Sequence, residues 1–328
     1  MKCKLCNSNK VKFISKFKPY ADVEWHFDIF ECSNCDSRFA DRDPMVNYPE
    51  IIHSNKYGPY SSQYCLANKV KYFLDNGQID ACENFLKKSH YKYEEIINFI
   101  NSIKNEHIKI LEVGCSTGYL TAFLRAKGFN VFGIDISKTA INSATELFGE
   151  FYGTKEKNIK YDIIFHVGLI GCVDNPKEFL VYYLSLLDKQ GVMIFNAPNI
   201  NNVKQLNKLW ASSPPPDVIY LFSEKSFEFL IDKSSFDIYI KKRYVSQNIF
   251  NKNLSLIKNK TYSKYPKTFE RKTKFYDNNR KSTFVEKAVK YLVLKTIVIL
   301  SSLFFRDITK KIDDEYGLII KVTKRGQQ

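Results

Sequence analysis

The sequence predicts an α/β fold in which helices cover both faces of a mostly parallel sheet, preceded by a small metal-binding module. Two observations predict the sheet: strand-like and helix-like segments alternate from Ile108 onward, and a glycine turn follows the first of these strands. Two Cys-x-x-Cys pairs near the amino terminus predict the module. With 328 residues, 44% of them hydrophobic, the chain can bury the core of one large domain or two smaller ones.

Composition divides the chain into five parts. Residues 1–45 carry the cysteine pairs, residues 46–105 are expected to form a mostly helical linker or lid, and residues 106–250 hold the α/β pattern. Residues 251–312 are predicted to be a basic helical insertion, and residues 313–328 to supply the last strand of the sheet. The insertion therefore separates that strand from the rest of its domain.

Hydrophobic patterning places the elements of the α/β domain in order. The predicted strands are 108–113, 130–135, 161–167, 191–196, 236–244 and the final YGLIIKVTKR. The predicted helices are 118–127, 138–148, 176–188 and one that begins at Ser223. The helix at 176 has the clearest beginning, because Asn175 can cap it, Pro176 suits its first position and Glu178 stands three residues after the cap.

The two cysteine pairs predict a structural zinc site made by Cys3, Cys6, Cys32 and Cys35. The pairs are separated by 25 residues, enough for a small ribbon of strands that brings four thiolates together. A closed site of four thiolates leaves no coordination position for catalysis. Redox use of a pair and a rubredoxin-like iron site are the alternatives; the absence of glycine after Cys6 and Cys35 argues against iron.

Cysteine usage also predicts the compartment. Eight cysteines and the polar start MKCKLCNSNK, which does not resemble an export signal, favour a reducing environment and hence the cytoplasm. The cysteines at 65, 82, 115 and 172 lack metal-site spacing and are expected to be ordinary thiols.

The predicted insertion is strongly basic. Residues 251–310 hold 15 Lys or Arg against 4 Asp or Glu, a large share of the net charge of +15. Such a segment suits nucleic acid, an anionic membrane or a phosphorylated substrate, and an ordinary solvated surface explains it equally well. Within it, residues 284–305 are apolar but interrupted by Lys295, so they predict either peripheral contact with the inner membrane surface or a helix packed on the parent domain.

The glycine turn lies in IKILEVGCSTG. A dinucleotide fingerprint needs glycine at its first, third and sixth positions, where this chain has Gly114, Ser116 and Tyr119. A phosphate-binding P-loop would end in Gly-Lys-Ser/Thr, which this turn lacks. What remains is Glu-x-Gly-x-x-x-Gly, followed by a second strand that ends in Asp135, a carboxylate suited to ribose hydroxyls.

At these residues the sequence resembles the class I S-adenosylmethionine-dependent methyltransferases: LEVGCSTGYL is similar to their first motif and GIDIS to their second. The resemblance covers about residues 108–245 and the last strand. With the cysteine module, the chain resembles a bacterial subgroup associated with sugar and surface-polysaccharide methylation. This implies a Rossmann-like class I methyltransferase sheet behind a zinc ribbon, with S-adenosylmethionine and structural Zn²⁺ as cofactors.

The resemblance also implies a set of site residues. Glu112, Gly114 and Gly118 would hold the methionine part of the cofactor, Asp135 the ribose and Ile136 the adenine. Further cofactor contacts are expected from Cys115, Ser116 and His166. The alternative for Glu112 and Asp135 is that they are only polar strand ends.

The acceptor side departs from the family pattern. Where relatives often have a Glu-His pair after the fourth strand, this chain has Gly171 and Cys172, which counts against carbon methylation. His166 at the end of that strand is predicted as general base for a hydroxyl acceptor, although a packed strand-end histidine is the alternative. Asp217, in SSPPPDVIYLFS, is a second candidate base. The tyrosines that could line the acceptor cleft, or simply pack on the core, are Tyr57, Tyr60 and Tyr64.

The resulting hypothesis is O-methylation of a sugar, nucleotide-sugar or surface-polysaccharide precursor, with a small molecule or glycan as the partner. An RNA methyltransferase is the first alternative, but FHVGLIG replaces the Asn-Pro-Pro-Tyr of enzymes that methylate base amino groups, and the ribbon lacks an RNA-binding pattern. A catalytically silent cofactor-binding subunit is the second. The sequence leaves the acceptor atom and the oligomeric state open.

Overall fold

The strands of the protein form two sheets. The computed structural model describes residues 1–18, 26–41, 60–103, 107–205, 208–210, 215–248, 268–270 and 311–325. The strands are β1 Val11–Lys18, β2 Phe27–Cys32, β3 Ser37–Ala40, β4 Lys109–Val113, β5 Asn130–Ile134, β6 Tyr152–Gly153, β7 Tyr161–His166, β8 Leu187–Pro198, β9 Tyr220–Leu221, β10 Phe236–Asn248, β11 Thr268–Glu270 and β12 Lys311–Lys324.

The helices of the described residues are α1 Tyr60–Asp75, α2 Ile79–Ser89, α3 Tyr91–Asn101, α4 Tyr119–Ala126, α5 Lys138–Phe148, α6 Pro176–Ser185, α7 Ile200–Gln205 and α8 Glu224–Leu230. Side-chain caps fix several beginnings: Ser137, Asn175 and Ser223 each accept a hydrogen bond from the backbone three residues later. The α6 helix ends before the predicted residue 188, because Leu187 already begins strand β8.

The larger sheet confirms the predicted Rossmann-like fold. Its seven strands run in the order β10-β12-β8-β7-β4-β5-β6. The five strands from β8 to β6 are parallel, whereas β12 lies antiparallel to both β8 and β10. The carboxyl ends of β4, β5 and β7 therefore meet at one edge, where open α/β sheets bind ligands.

Helices cover both faces of this sheet, because alternate strand residues point in opposite directions. Ile110, Phe165 and Ile319 share a buried apolar cluster with helices α1 to α4. Leu111 and Ile320 belong to a second cluster on the opposite face, which includes α6 and α8. The predicted two-sided arrangement is thus confirmed.

The smaller sheet holds the cysteine module and is not separate from the domain. Its order is β11-β1-β2-β3-β9, so the short strand β9, from the middle of the chain, extends a sheet that begins at the amino terminus. Phe39 of β3 is fully buried in the same apolar cluster as Phe222 and Phe227. The module and the α/β domain therefore share one core.

Several predictions concern residues that the structure does not describe. The basic insertion falls there except for β11 and the beginning of β12, and the segment 284–305 lies wholly outside the described residues. Tyr57 lies outside them too, and the Tyr60 side chain is not described. No helix in the described part of the chain has the length and apolar character needed to cross a membrane.

Candidate cofactor and acceptor site

The glycine turn between β4 and α4 is shaped by three residues with left-handed backbone. Gly114, Ser116 and Gly118 have φ values of 71°, 50° and 76°. Gly114 and Cys115 both donate their backbone N–H groups to the carbonyl oxygen of Ile134, at 2.7 and 2.9 Å, which ties the turn to β5. Ser116 adopts a left-handed conformation that glycine would adopt at lower cost.

Gly118 has no room for a side chain. A Cβ there would lie 2.6 Å from the ring of Tyr152 and 2.7 Å from the Cβ of Ala144. We expect Gly118→Ala to lower the free energy of unfolding by about 2–4 kcal/mol, from backbone strain together with overpacking.

Gly77 provides the matched control for Gly118. It has a similar φ of +65°, but nothing lies within 4 Å of an added Cβ. Gly77→Ala should therefore cost only the backbone term, about 1–2 kcal/mol. Urea unfolding followed by circular dichroism compares the two variants; equal losses would contradict the close packing around Gly118.

Asp135 lies at the end of β5, beside the turn. One carboxylate oxygen accepts a hydrogen bond from the backbone N–H of Ser116 at 3.0 Å, and the other accepts one from Ser137 at 3.0 Å. Asp135 lines a cavity of about 360 Å³. A carboxylate that lines a cavity is a suitable acceptor for a ligand with two adjacent hydroxyl groups.

Glu112 lies beneath the turn and is only 4% exposed. Burial raises the pKa of its carboxyl to about 8, partly offset by a hydrogen bond that Thr121 Oγ1 donates to it at 2.5 Å. Glu112 does not line the cavity. Its contact in this structure ties β4 to α4, and its role towards the methionine part of a cofactor stays a prediction.

The cavity is formed at the carboxyl edge of the sheet. Ile136, which is 74% exposed, lines it next to Asp135. Cys115 is buried between the turn and α5 and does not line it. The lining residues are Gln63, Val113, Gly114, Ser116, Ile134, Asp135, Ile136, Thr154, Val167, Gly168, Leu169, Cys172, Val173, Asp174, Phe179, Tyr183 and Asp217.

His166 is not among the residues that line this cavity. Its side chain is fully buried, stacked on Phe195 with ring centroids 4.7 Å apart and edge-on to Phe179 at 5.5 Å. Burial lowers the pKa of the imidazole to about 3. Neither ring nitrogen has a hydrogen-bond partner among the described residues. In this position His166 packs like the strand-end histidine of the alternative interpretation. It does not line the cavity itself but packs on Phe179, which does.

Asp217 does line the cavity, as Asp135 does. The thiol of Cys172 lies within hydrogen-bond distance of two acceptors, Asp217 Oδ1 at 3.6 Å and the carbonyl oxygen of Gly168 at 3.3 Å, which share its single proton. The segment after Asp217 is attached to the loop after β7, because the backbone N–H groups of Ile219 and Tyr220 both donate to the carbonyl oxygen of Gly171, at 2.6 and 3.1 Å. The loop after β7 and the segment around Asp217 therefore form one wall.

Several cavity residues were not predicted from the sequence. Gln63 of α1 accepts a hydrogen bond from Ser116 Oγ at 2.5 Å, and Phe179 and Tyr183 reach the cavity from α6. Thr154 follows the two-residue strand β6. None of them belongs to a motif; only the helical spacing of Phe179 and Tyr183 could have indicated a shared face. Tyr64 is 38% exposed and does not line the cavity.

The four predicted metal ligands do come together. The sulfur atoms of Cys3, Cys6, Cys32 and Cys35 all lie within 4.8 Å of one another. Cys3 and Cys35 share a sulfur–sulfur hydrogen bond of 3.6 Å, which lowers the pKa of Cys3 to about 5 and raises that of Cys35. Only one partner of such a pair is readily ionised, so four thiolates in this space require a cation, which fits a tetrahedral metal site.

Each knuckle also contains a left-handed residue directly after its second cysteine. Asn7 has φ of 58° and Asp36 has φ of 53°. Asparagine and aspartate tolerate this conformation better than other side chains do. The missing glycines therefore do not change the shape of the knuckles and, on this geometry, do not discriminate between zinc and iron.

Residues 85–239 match the family model described as a methyltransferase domain. Over this segment, just under half of the chain, the protein is similar to methyltransferase domains. The match begins within α2 and ends within β10, so it contains the glycine turn, Asp135 and Asp217. The matched segment thus contains the five parallel strands and, apart from Gln63, the residues that line the cavity.

The relatives of the matched segment are distant. A ubiquinone biosynthesis O-methyltransferase of Rickettsia prowazekii (strain Madrid E) is 29% identical over 124 residues, which cover 34% of this chain and 49% of the relative. Another, from Rickettsia canadensis (strain McKiel), is 25% identical and covers 50% and 66%. Among solved structures, the magnesium protoporphyrin IX methyltransferase of Synechocystis covers 47% of this chain at 17% identity, with a TM-score of 0.38. The aligned segments thus span about half to two thirds of the curated relatives.

Proposed function

We propose that the protein is an S-adenosylmethionine-dependent methyltransferase that methylates a hydroxyl group. The observation that supports this most directly is that Asp135, Ile136 and Asp217 line the same cavity. A methyl donor and an acceptor must lie in one enclosed space, because the reaction gains most from aligning the two.

The cofactor side fits an adenosyl ligand. Asp135 would accept hydrogen bonds from the ribose hydroxyls, exposed Ile136 would lie against the adenine, and the turn from Gly114 to Gly118 would surround the methionine part. When bound, the cofactor supplies a sulfonium methyl group, an electrophile that needs no metal from the protein. The chain's own residues orient the ligand and exclude water.

The acceptor side supports a hydroxyl acceptor. Methylation of a hydroxyl oxygen benefits from a nearby group that takes its proton, and Asp217 lies on the cavity wall. His166 is the weaker candidate because it is buried and does not line the cavity. The named activity of the Rickettsia relatives is also O-methylation.

Within hydroxyl acceptors, we propose a sugar, nucleotide-sugar or surface-polysaccharide precursor, on the strength of the motif order and the amino-terminal cysteine ribbon. Methylation of a phenolic hydroxyl is the second candidate, favoured by the names of the Rickettsia relatives. We further propose that the four cysteines hold a structural zinc ion, that the protein acts in the cytoplasm, and that residues 284–305 contact the inner membrane surface.

The test is to incubate the protein with methyl-labelled S-adenosylmethionine and a bacterial extract separated into nucleotide-sugar and glycan, quinone and phenolic, and RNA fractions. Label in the first fraction supports the proposed acceptor, and label in the second selects the phenolic alternative. Label in RNA overturns the hydroxyl-acceptor proposal. Cofactor binding without transfer to any fraction would instead indicate a silent cofactor-binding subunit.

A further inference from the structure

A lysine lies next to Gly168, one of the residues that line the cavity, and belongs to no motif of the sequence. Lys92 is the second residue of α3, whose beginning is capped by His90 through a hydrogen bond from the backbone N–H of Lys92. Its Nζ atom lies beside Gly168: a Cβ added to that glycine would be 3.4 Å away. Gly168 lines the cavity, so the absence of a side chain there lets the ammonium group approach the wall.

The position is unfavourable for a lysine unless something compensates for it. The first turn of a helix carries the positive end of the helix dipole, which disfavours a cation. Burial disfavours it again and lowers the pKa of Lys92, while Asp217 and Cys172 act in the opposite direction. A half-buried cation at this place is stabilised by a nearby negative charge. Lys92 Nζ lies beside Gly168, and the Cys172 thiol lies within hydrogen-bond distance of both the Gly168 carbonyl oxygen and Asp217 Oδ1. Lys92 and Asp217 therefore border the same wall, and Asp217 is the carboxylate whose charge acts on the ammonium group.

The same carboxylate is held from a second side. The Cys172 thiol bridges the Gly168 carbonyl and Asp217, as described above. Lys92 and Cys172 thus both act on Asp217, one by charge and one by a hydrogen bond. The other groups that face Lys92 are His90, whose own pKa it helps to lower, and the ring of Tyr93, 5.7 Å from its Nζ atom.

We infer that Lys92 is a positioning residue: its ammonium group holds the Asp217 carboxylate where it takes the proton of the acceptor hydroxyl. The inference rests on the proposed function. In the step it serves, the acceptor oxygen bonds to the methyl carbon as the carbon–sulfur bond breaks, the electron pair of that bond stays on sulfur, and the hydroxyl proton passes to Asp217. Charges balance, because the sulfonium and the carboxylate are both neutralised.

The first test needs neither acceptor nor cofactor. The pKa of Lys92 is measured by side-chain NMR on protein with isotope-labelled lysine, the Lys92 signal being assigned with Lys92→Arg. Asp217→Asn should lower the pKa of Lys92, because it removes the charge that stabilises the ammonium form. Asp174→Asn is the matched control: Asp174 lines the same cavity but is not among the groups that shift Lys92. An unchanged pKa in Asp217→Asn would overturn the inference.

The second test uses whichever acceptor fraction takes label. Lys92→Met should lower kcat by about 10- to 100-fold while the KM for the cofactor stays within about twofold, and Lys92→Arg should recover part of the loss. Lys92→Met combined with Asp217→Asn should be little slower than Asp217→Asn alone, since both act in one step. Fully additive losses would overturn the inference. If no acceptor is found, the proposed function fails, but the NMR result still decides whether the two residues are paired.

Discussion

Asp135→Ala is expected to weaken S-adenosylmethionine binding by about 100-fold. Two hydrogen bonds from ribose hydroxyls to a carboxylate contribute on the order of 3 kcal/mol together, which corresponds to two orders of magnitude in Kd. The substitution also removes the acceptor of the Ser116 backbone N–H, so the turn loses one of its hydrogen bonds near the end of β5 and keeps those from Gly114 and Cys115 to Ile134. Isothermal titration calorimetry measures the effect directly and requires no acceptor.

Two further variants separate loss of ligand contacts from loss of structure. Asp135→Asn keeps one oxygen that can accept a hydrogen bond and should bind with intermediate affinity. Asp162→Ala removes a carboxylate that also accepts from a backbone N–H, that of Lys109 at 2.7 Å, but at the opposite end of the parallel strands. It should leave cofactor affinity unchanged. Wild-type affinity in a folded Asp135→Ala protein would show that the ribose does not bind at this carboxylate.

Loss of the metal is the second change for which we expect a large effect. It should mainly lower the rate of methyl transfer. The purified protein should hold one zinc ion, and Cys35→Ser should abolish its retention, because structural zinc sites of this type contribute on the order of 10 kcal/mol of apparent binding free energy. Strand β3 pairs with β9 at Phe39 and Tyr220, close to Asp217. We therefore expect at least about a tenfold loss of methyl transfer, with cofactor affinity changed by less than about threefold, since the ribose site belongs to β4 and β5.

The control for the zinc prediction is Cys65→Ser, because Cys65 is exposed on α1 and lies outside the cluster. Metal content by mass spectrometry, cofactor affinity and transfer rate are compared for the three proteins. A coloured protein containing iron would contradict the zinc assignment. Equal losses of cofactor affinity and transfer rate in Cys35→Ser would contradict the prediction that the zinc site supports the segment around Asp217 and not the ribose site.

Most of the large sheet could be predicted from the sequence because its strands are continuous apolar runs followed by turns and helix caps. The strands β4, β5 and β7 begin within one residue of the predicted positions. The strands β6, β9 and β11 have only two or three residues each. Such short strands exist through pairing with distant partners, so no local pattern reveals them.

The site was only partly predictable for a related reason. Residues on the glycine turn and at the end of β5 are fixed by motif and strand order, so Asp135 could be placed from its position alone. His166 could not, because the direction of a strand-end side chain depends on the alternation along the strand: Phe165 points towards one apolar cluster and His166 packs on Phe195 of the other. Lys92 could not either, since its importance arises from contact with a loop that follows β7.

The pairing of β3 with β9 has a consequence for experiments that exchange segments between related proteins to change acceptor specificity. Ser223 Oγ donates to the carbonyl oxygen of Cys35 at 2.6 Å, and Ala40 donates its N–H to Ile219 at 2.9 Å. A graft of residues 215–223 alone would therefore pack against the β3 strand of another protein, whose side chains are not matched to it. We expect a chimaera to keep the cavity wall around Asp217 intact only when residues 1–41 and residues 215–223 are exchanged together.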